Sequence, residues 1–183
     1  MLLLYVMIGI ILVLLAYVLL TYNGIVSINN IVKEAFSTMD VYLKKRWDLV
    51  PNLVESVKGY VNYENETLTK ITELRATSYE QMSIDKKINI NEELTKGIET
   101  IFAVSENYPE LKSSENFMQL SKELTKVEDD IANSRKYYNG AVRKLNTKIQ
   151  MFPNNIIAKI FKFKEANMFE ANAEEKNNVK VDL

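Results

Sequence analysis

The chain opens on an unbroken apolar run and then changes to a helical alternation of apolar and polar positions. No charged side chain occurs through Tyr22. The run Leu2 to Leu20 spans about 28 Å at ~1.5 Å per helical residue, close to the ~30 Å of a bilayer's hydrocarbon core. Nothing basic precedes it, and no small-residue cleavage pattern follows, so a retained span fits better than a signal peptide. The pattern predicts a transmembrane helix over 1–22, with lipid contact through 2–20. Tyr17 and Tyr22 suit the aromatic belt at an interface.

Four amphipathic segments follow. The first runs from about Ile25 to Trp47, with Ile28, Val32, Ala35, Met39 and Tyr42 in its stripe. The second runs from about Leu49 to Thr77, with Leu53, Val57, Tyr60, Val61, Leu68, Ile71 and Leu74. Pro51 falls at their junction. Proline is tolerated in a first helical turn, and Asp48 is a good N-cap, so the stretch predicts a corner between two helices; a continuous helix bent at Pro51 is the second choice. Ser78 to Asn89 is polar and predicts a loop. The third segment, about Ile90 to Tyr108, carries Leu94, Ile98, Ile101 and Phe102, and Pro109 stops it. The fourth opens at Ser113 or Ser114. Phe117, Leu120, Leu124, Val127, Ile131, Ser134, Tyr138, Ala141, Leu145 and Lys148 or Ile149 repeat there at spacings of three and four, until Phe152-Pro153-Asn154-Asn155 ends it. The expected fold is all-α: an N-terminal transmembrane helix followed by an antiparallel up-and-down four-helix bundle over 25–152. A C-terminal tail, 153–183, is expected to be partly helical and then flexible.

Composition narrows the chemistry. The 183 residues include neither Cys nor His, which removes thiolate nucleophiles, disulfides, imidazole bases and the usual zinc ligands. With 23 Lys and Arg against 24 Asp and Glu, the net charge is −1 and exerts no global pull on nucleic acid. Phosphate-binding glycine loops and nucleophile elbows are absent. No cofactor, metal, nucleic acid or small-molecule substrate is expected.

Two blocks carry a resemblance. One is NNIVKEAFSTMDVYLKKRWDLVPNLVESVKGYVNYENETL from Asn29, and the other is YPELKSSENFMQLSKELTKVEDDIANSRKYYNGAVRKLNTKIQMFPNNIIAK from Tyr108. Together they resemble the LemA family of bacterial membrane-anchored proteins. The resemblance implies one N-terminal span and a four-helix bundle. It also implies a setting in envelope stress, membrane proteolysis or, among relatives, magnetosome formation. The family often has His where Trp47 stands and His-Glu where Tyr63-Glu64 stand, so no histidine-based chemistry carries over.

The candidate sites each have a functional and a structural reading. Arg46, Trp47, Asp48 and Pro51 are candidate partner contacts, with Tyr108 and Glu110 at a second turn. An Arg46–Asp48 ion pair would bracket the corner; the structural reading is a capped helix start with Trp47 as a lid. Arg135, Tyr138 and Asn139, which match the family motif, are candidates for a polar network fixing helix register. Glu128, Asp129 and Asp130 could serve a carboxylate metal enzyme, against a reading as a solvated acidic face. Ile156, Ile160, Phe161 and Phe163, with Lys159, Lys162 and Lys164, are candidate membrane contacts. The basic residues nearest the span follow it, which places the bundle in the cytoplasm and a short N-terminus outside the inner membrane. The expected function is a single-pass, non-enzymatic adaptor working through protein contacts, with a lipid-binding tail as the alternative.

Overall fold

The computed structural model describes residues 1–60, 66–74 and 78–169. The chain is all-helical, with no strand among the described residues. Helix α1 is Leu2–Lys58, α2 Glu66–Leu74, α3 Ile84–Ser105, α4 Pro109–Lys112, α5 Glu115–Gln150 and α6 Asn154–Ile160. A 3-10 turn, Tyr79–Gln81, precedes α3.

The apolar run and the first bundle helix are one helix of 57 residues, and Pro51 lies inside it. The expected corner is therefore absent. Asp48 caps nothing; it is an interior residue that accepts from Lys44 Nζ, one turn earlier, at 2.6 Å. The cause is packing. Leu43, Trp47, Val50, Leu53, Val54 and Val57 form one stripe across the proline, and none is more than 4% exposed. Each such burial contributes about 1.5–3 kcal/mol, and together they outweigh the ~3 kcal/mol of an interior proline. The helix ends at Lys58, well short of Thr77; Val61, Tyr63 and Glu64 lie outside the described residues.

The loop expected over 78–89 is also corrected. Tyr79 and Met82 are buried. Ser83 caps α3, its hydroxyl accepting from Lys86 N at 3.3 Å, and Asp85 sits in the positive first turn. The first half of the run forms the 3-10 turn and the cap, and from Ile84 it is the first turns of a helix whose buried residues include Ile88, Leu94, Ile98 and Ile101. The long α5 matches its stripe closely: Phe117, Leu124, Val127, Ile131, Ser134, Tyr138, Ala141, Leu145 and Ile149 are all buried.

The chain forms two compact units. The first is Met1–Ser37 with Arg135–Met168. Within it α1 and α5 run antiparallel: the Phe36 and Tyr138 rings meet edge to face at 5.9 Å, and Tyr17 Oη donates to Asn154 Oδ1 at 2.8 Å. The segment after α6 folds back on α5. Asn146 Nδ2 donates to Ala166 O at 2.9 Å, Ala166 N donates to Asn146 Oδ1 at 3.0 Å, and Tyr138 Oη donates to Asn167 O at 2.9 Å. Helix α6 ends in a Schellman motif, with Phe163 N on Ala158 O at 2.9 Å and Lys162 N on Lys159 O at 3.2 Å. That motif needs a left-handed residue, and here it is Lys162, at φ 59°.

The second unit is Thr38–Ser134 with Phe169–Leu183. It holds the rest of α1, then α2, α3, α4 and the first half of α5. Gly97 of α3 lets α2 approach: a Cβ there would lie 2.6 Å from Ile71 Cδ1. The Phe102 and Phe117 rings close the far end of α3, edge to face at 6.2 Å.

Candidate functional site

Arg46 lies on the inner face of α1, between Leu43 and Val50, and is 2% exposed. A buried guanidinium must be matched by acceptors. Nη1 donates to Asn91 Oδ1 of α3 at 3.0 Å, and Nη2 is 2.8 Å from Glu128 Oε2 of α5. One side chain therefore ties three helices of the second unit. The pairing with Asp48 expected from sequence does not form.

Beside it stands a second cluster. Trp47 is 4% exposed and packs on the Tyr79 ring at 5.6 Å. Tyr79 Oη donates to Asp40 Oδ1 at 2.7 Å, and Lys87 Nζ donates to Asp40 Oδ2, also at 2.7 Å. The Lys87 ammonium lies 4.4 Å from the centre of the Tyr79 ring, a cation–π distance. Burial first, and then the Asp40 carboxylate, push the Tyr79 phenol well above its ordinary range, so it stays protonated. These groups are engaged with one another: the cluster binds the 3-10 turn to α1 and α3, and it holds no free base or nucleophile.

The other candidate residues fall as follows. Arg46 and Trp47 face inward and present no surface to a partner, because the core stripe of α1 passes through them. Asp48 is exposed, Pro51 half-buried, Tyr108 half-buried and Glu110 exposed. Tyr108 precedes α4, where Pro109 occupies the first turn and Leu111 is fully buried. Tyr138 is buried, while Arg135 and Asn139 are half-buried on α5. Glu128 is engaged by Arg46, and among the described residues no three His, Cys, Asp or Glu side chains converge. Ile156, Ile160 and Phe161 are exposed, and Phe163 is half-buried.

Sequence reasoning missed Asp40, Tyr79, Lys87 and Asn91. Their partners lie 39 to 47 residues away, so no local spacing connects them. It also missed a groove of about 480 Å³ in the second unit. Asn52, Glu55 and Ser56 of α1 and Asn116, Gln119, Leu120 and Glu123 of α5 line it. Its walls are mostly apolar in area, with Leu120 among them, and carry the polar ends of two carboxylates, three amides and one hydroxyl.

The model of the LemA family matches residues 35–183. The chain is 30% identical over 161 residues to protein LemA of Metamycoplasma hominis, covering 86% of this chain and 72% of that protein. It is 24% identical over 181 residues to magnetosome protein MamQ 2 of Paramagnetospirillum magneticum, covering 85% of this chain and 66% of that one. A MamQ from Magnetospirillum gryphiswaldense is 22% identical over 177 residues, with 82% and 65% covered. The chain thus spans slightly less than two thirds of the length of these magnetosome proteins.

Proposed function

Since the chain belongs to the LemA family, we propose that it is a single-pass, membrane-anchored, non-enzymatic scaffold. The α1–α5 groove of its second unit holds partner proteins at the inner face of the cell membrane. The resemblance favours envelope stress or membrane protein quality control as the setting. The anchor is supported by an 18-residue window of mean hydropathy 3.0 in α1, no part of it buried. Tethering to a membrane raises local concentration, so a weak groove contact suffices.

The groove itself is the observation that carries the reading. It is open, mostly apolar along its walls, and carries Glu55, Glu123 and three side-chain amides as its polar groups. It belongs to a unit whose sequence has 22 Asp and Glu against 14 Lys and Arg. Such a surface selects basic partner segments and repels acidic ones. Exposed Glu110, at the start of α4, is a second contact candidate in the same unit.

A photo-crosslinking amino acid at Gln119 in living cells tests this. Discrete protein adducts are expected, and they should vanish in the Glu55→Lys, Glu123→Lys double variant. An absence of adducts, or an unchanged pattern in the charge-reversed variant, would refute the groove. The compartment is tested separately. Glu115→Cys in this cysteine-free chain should react with an impermeant maleimide only after lysis. Labelling in intact cells would place the groove on the outer side.

A further inference from the structure

The chain's near-zero net charge conceals a segregation. The first unit, 1–37 with 135–168, has nine Lys and Arg and only two Asp and Glu. This unit also contains the apolar run. Its fold brings the C-terminal end of α5 and the whole of α6 to the place where that run ends. Asn154 is hydrogen-bonded to Tyr17, and the Phe161 and Phe163 rings lie 4.7 and 5.6 Å from that of Tyr22. Lys148 Cε lies 3.8 Å from where a Gly24 Cβ would stand. At ~1.5 Å per residue, Tyr17 to Gly24 covers about 10 Å of helix around Leu20, the last residue of the run. That stretch straddles the edge of the hydrocarbon core and reaches into the headgroup layer, which is about 5–8 Å deep on each side.

The surface displayed at that depth is inverted relative to an ordinary short helix. Helix α6 buries Ile157 and Ala158, while it and the two residues Met151 and Phe152 before it leave large apolar groups exposed. Phe152 is 78% exposed, Ile160 67%, Met151 54% and Ile156 50%. Exposed Lys159 and Lys162, with half-buried Lys148, flank them. Lys162 occupies a left-handed position that glycine would fill with less strain. Clustered exposed apolar side chains beside cations form the pattern of an interfacial membrane contact.

We propose that Met151, Phe152, Ile156, Ile160 and Phe161 form a collar inserted into the interface of the same bilayer that α1 crosses. Lys148, Lys159 and Lys162 then engage anionic phospholipid headgroups. The collar is separate from the groove of the second unit, and either can fail without the other.

The test uses the full chain with Ile156→Cys, labelled with an NBD fluorophore and reconstituted into phosphatidylcholine vesicles containing 30% phosphatidylglycerol. Brominated lipid should quench the label, and aqueous iodide should quench it at most a third as well as it quenches the free dye. Brominated phosphatidylglycerol should quench at least twofold more than brominated phosphatidylcholine at equal mole fraction. That difference should disappear in the Lys148→Gln, Lys159→Gln, Lys162→Gln variant. Full iodide quenching would overturn the proposal, because the collar would face water. Protection from both quenchers would overturn it too, because protein would cover the site. Equal quenching by the two lipids, or a difference that survives the lysine substitutions, would refute the anionic recognition.

Discussion

Arg46→Ala is the substitution that tests how the second unit is held together. It removes two methylenes from a side chain that is 2% exposed, about 1.6 kcal/mol at ~0.8 kcal/mol each. It leaves the Asn91 carbonyl, buried on α3, without its donor, about 1–3 kcal/mol. The link to Glu128 adds only about 0–1 kcal/mol, because that carboxylate is 44% exposed and water screens it. The expected loss is about 3–5 kcal/mol. Glu128→Gln keeps an acceptor at the solvent edge and should cost about 1 kcal/mol or less. Arg46→Met with Asn91→Leu removes both buried polar partners together. It should recover most of the loss, since apolar groups of similar shape can replace a buried pair. Trp47 is the chain's single tryptophan and adjoins the network. Its emission during urea unfolding of the full chain in mild detergent reports each variant, with free energies compared at constant slope. A loss below 1 kcal/mol for Arg46→Ala would refute the reasoning. So would equal losses for Arg46→Ala and Glu128→Gln, which would mean that exposed charge, and not buried polarity, sets the energy.

Further expectations follow from single contacts. Tyr79→Phe should cost about 1–2 kcal/mol at neutral pH by removing the hydrogen bond to Asp40. The folded state raises the Tyr79 pKa, so its contribution is complete below the unfolded value near ~10 and is lost as pH rises above it. Tyr79→Phe should therefore flatten the alkaline limb of stability against pH, and an unchanged limb would disprove the assignment. Gly97→Ala should destabilise by about 1–2 kcal/mol despite its better helix propensity, since the new Cβ meets buried Ile71; Ile71→Val, which removes the nearest atom, should restore part of the loss in urea unfolding. Lys162→Gly should raise stability by about 1 kcal/mol by relieving its left-handed backbone, and at the same time weaken the preference for anionic lipid.

Elements with an unbroken local period were legible from sequence. The stripe read from Phe117 to Ile149 is the buried face of α5, because one helix buried along its length writes its period into its own residues. Pro51 misled because the deciding energy was not local: the proline is visible in the sequence, but the burial of Trp47, Val50, Leu53 and Val54 around it belongs to the tertiary fold. The stretch 78–89 misled for a different reason. Its N-cap, Ser83 with Asp85 in the first turn, is a sequence signal, and following Ile88 to Leu94 and Ile98 from that cap would have found α3.

Charge shows the same limit from another side. A net charge of −1 averages over the whole chain, whereas a membrane or a partner meets only the charges that folding gathers on one unit. Lys148, Lys159 and Lys162 lie far from the apolar run in sequence. The fold of the first unit returns Lys148 to Gly24, and brings Phe161, the neighbour of Lys162 and two residues from Lys159, to Tyr22. The positive-inside tendency, judged from residues immediately after the span, offered only Lys33 and the distant Lys44, Lys45 and Arg46. Of these, Arg46 is consumed inside the bundle by Asn91 and Glu128. The cations proposed to meet the membrane come from the other end of the chain. These cations belong to the same unit as the apolar run, and that unit carries nine Lys and Arg against two Asp and Glu. On the two proposals made above, attachment and recognition would use charges of opposite sign: lysines of the first unit, and Glu55 and Glu123 of the second.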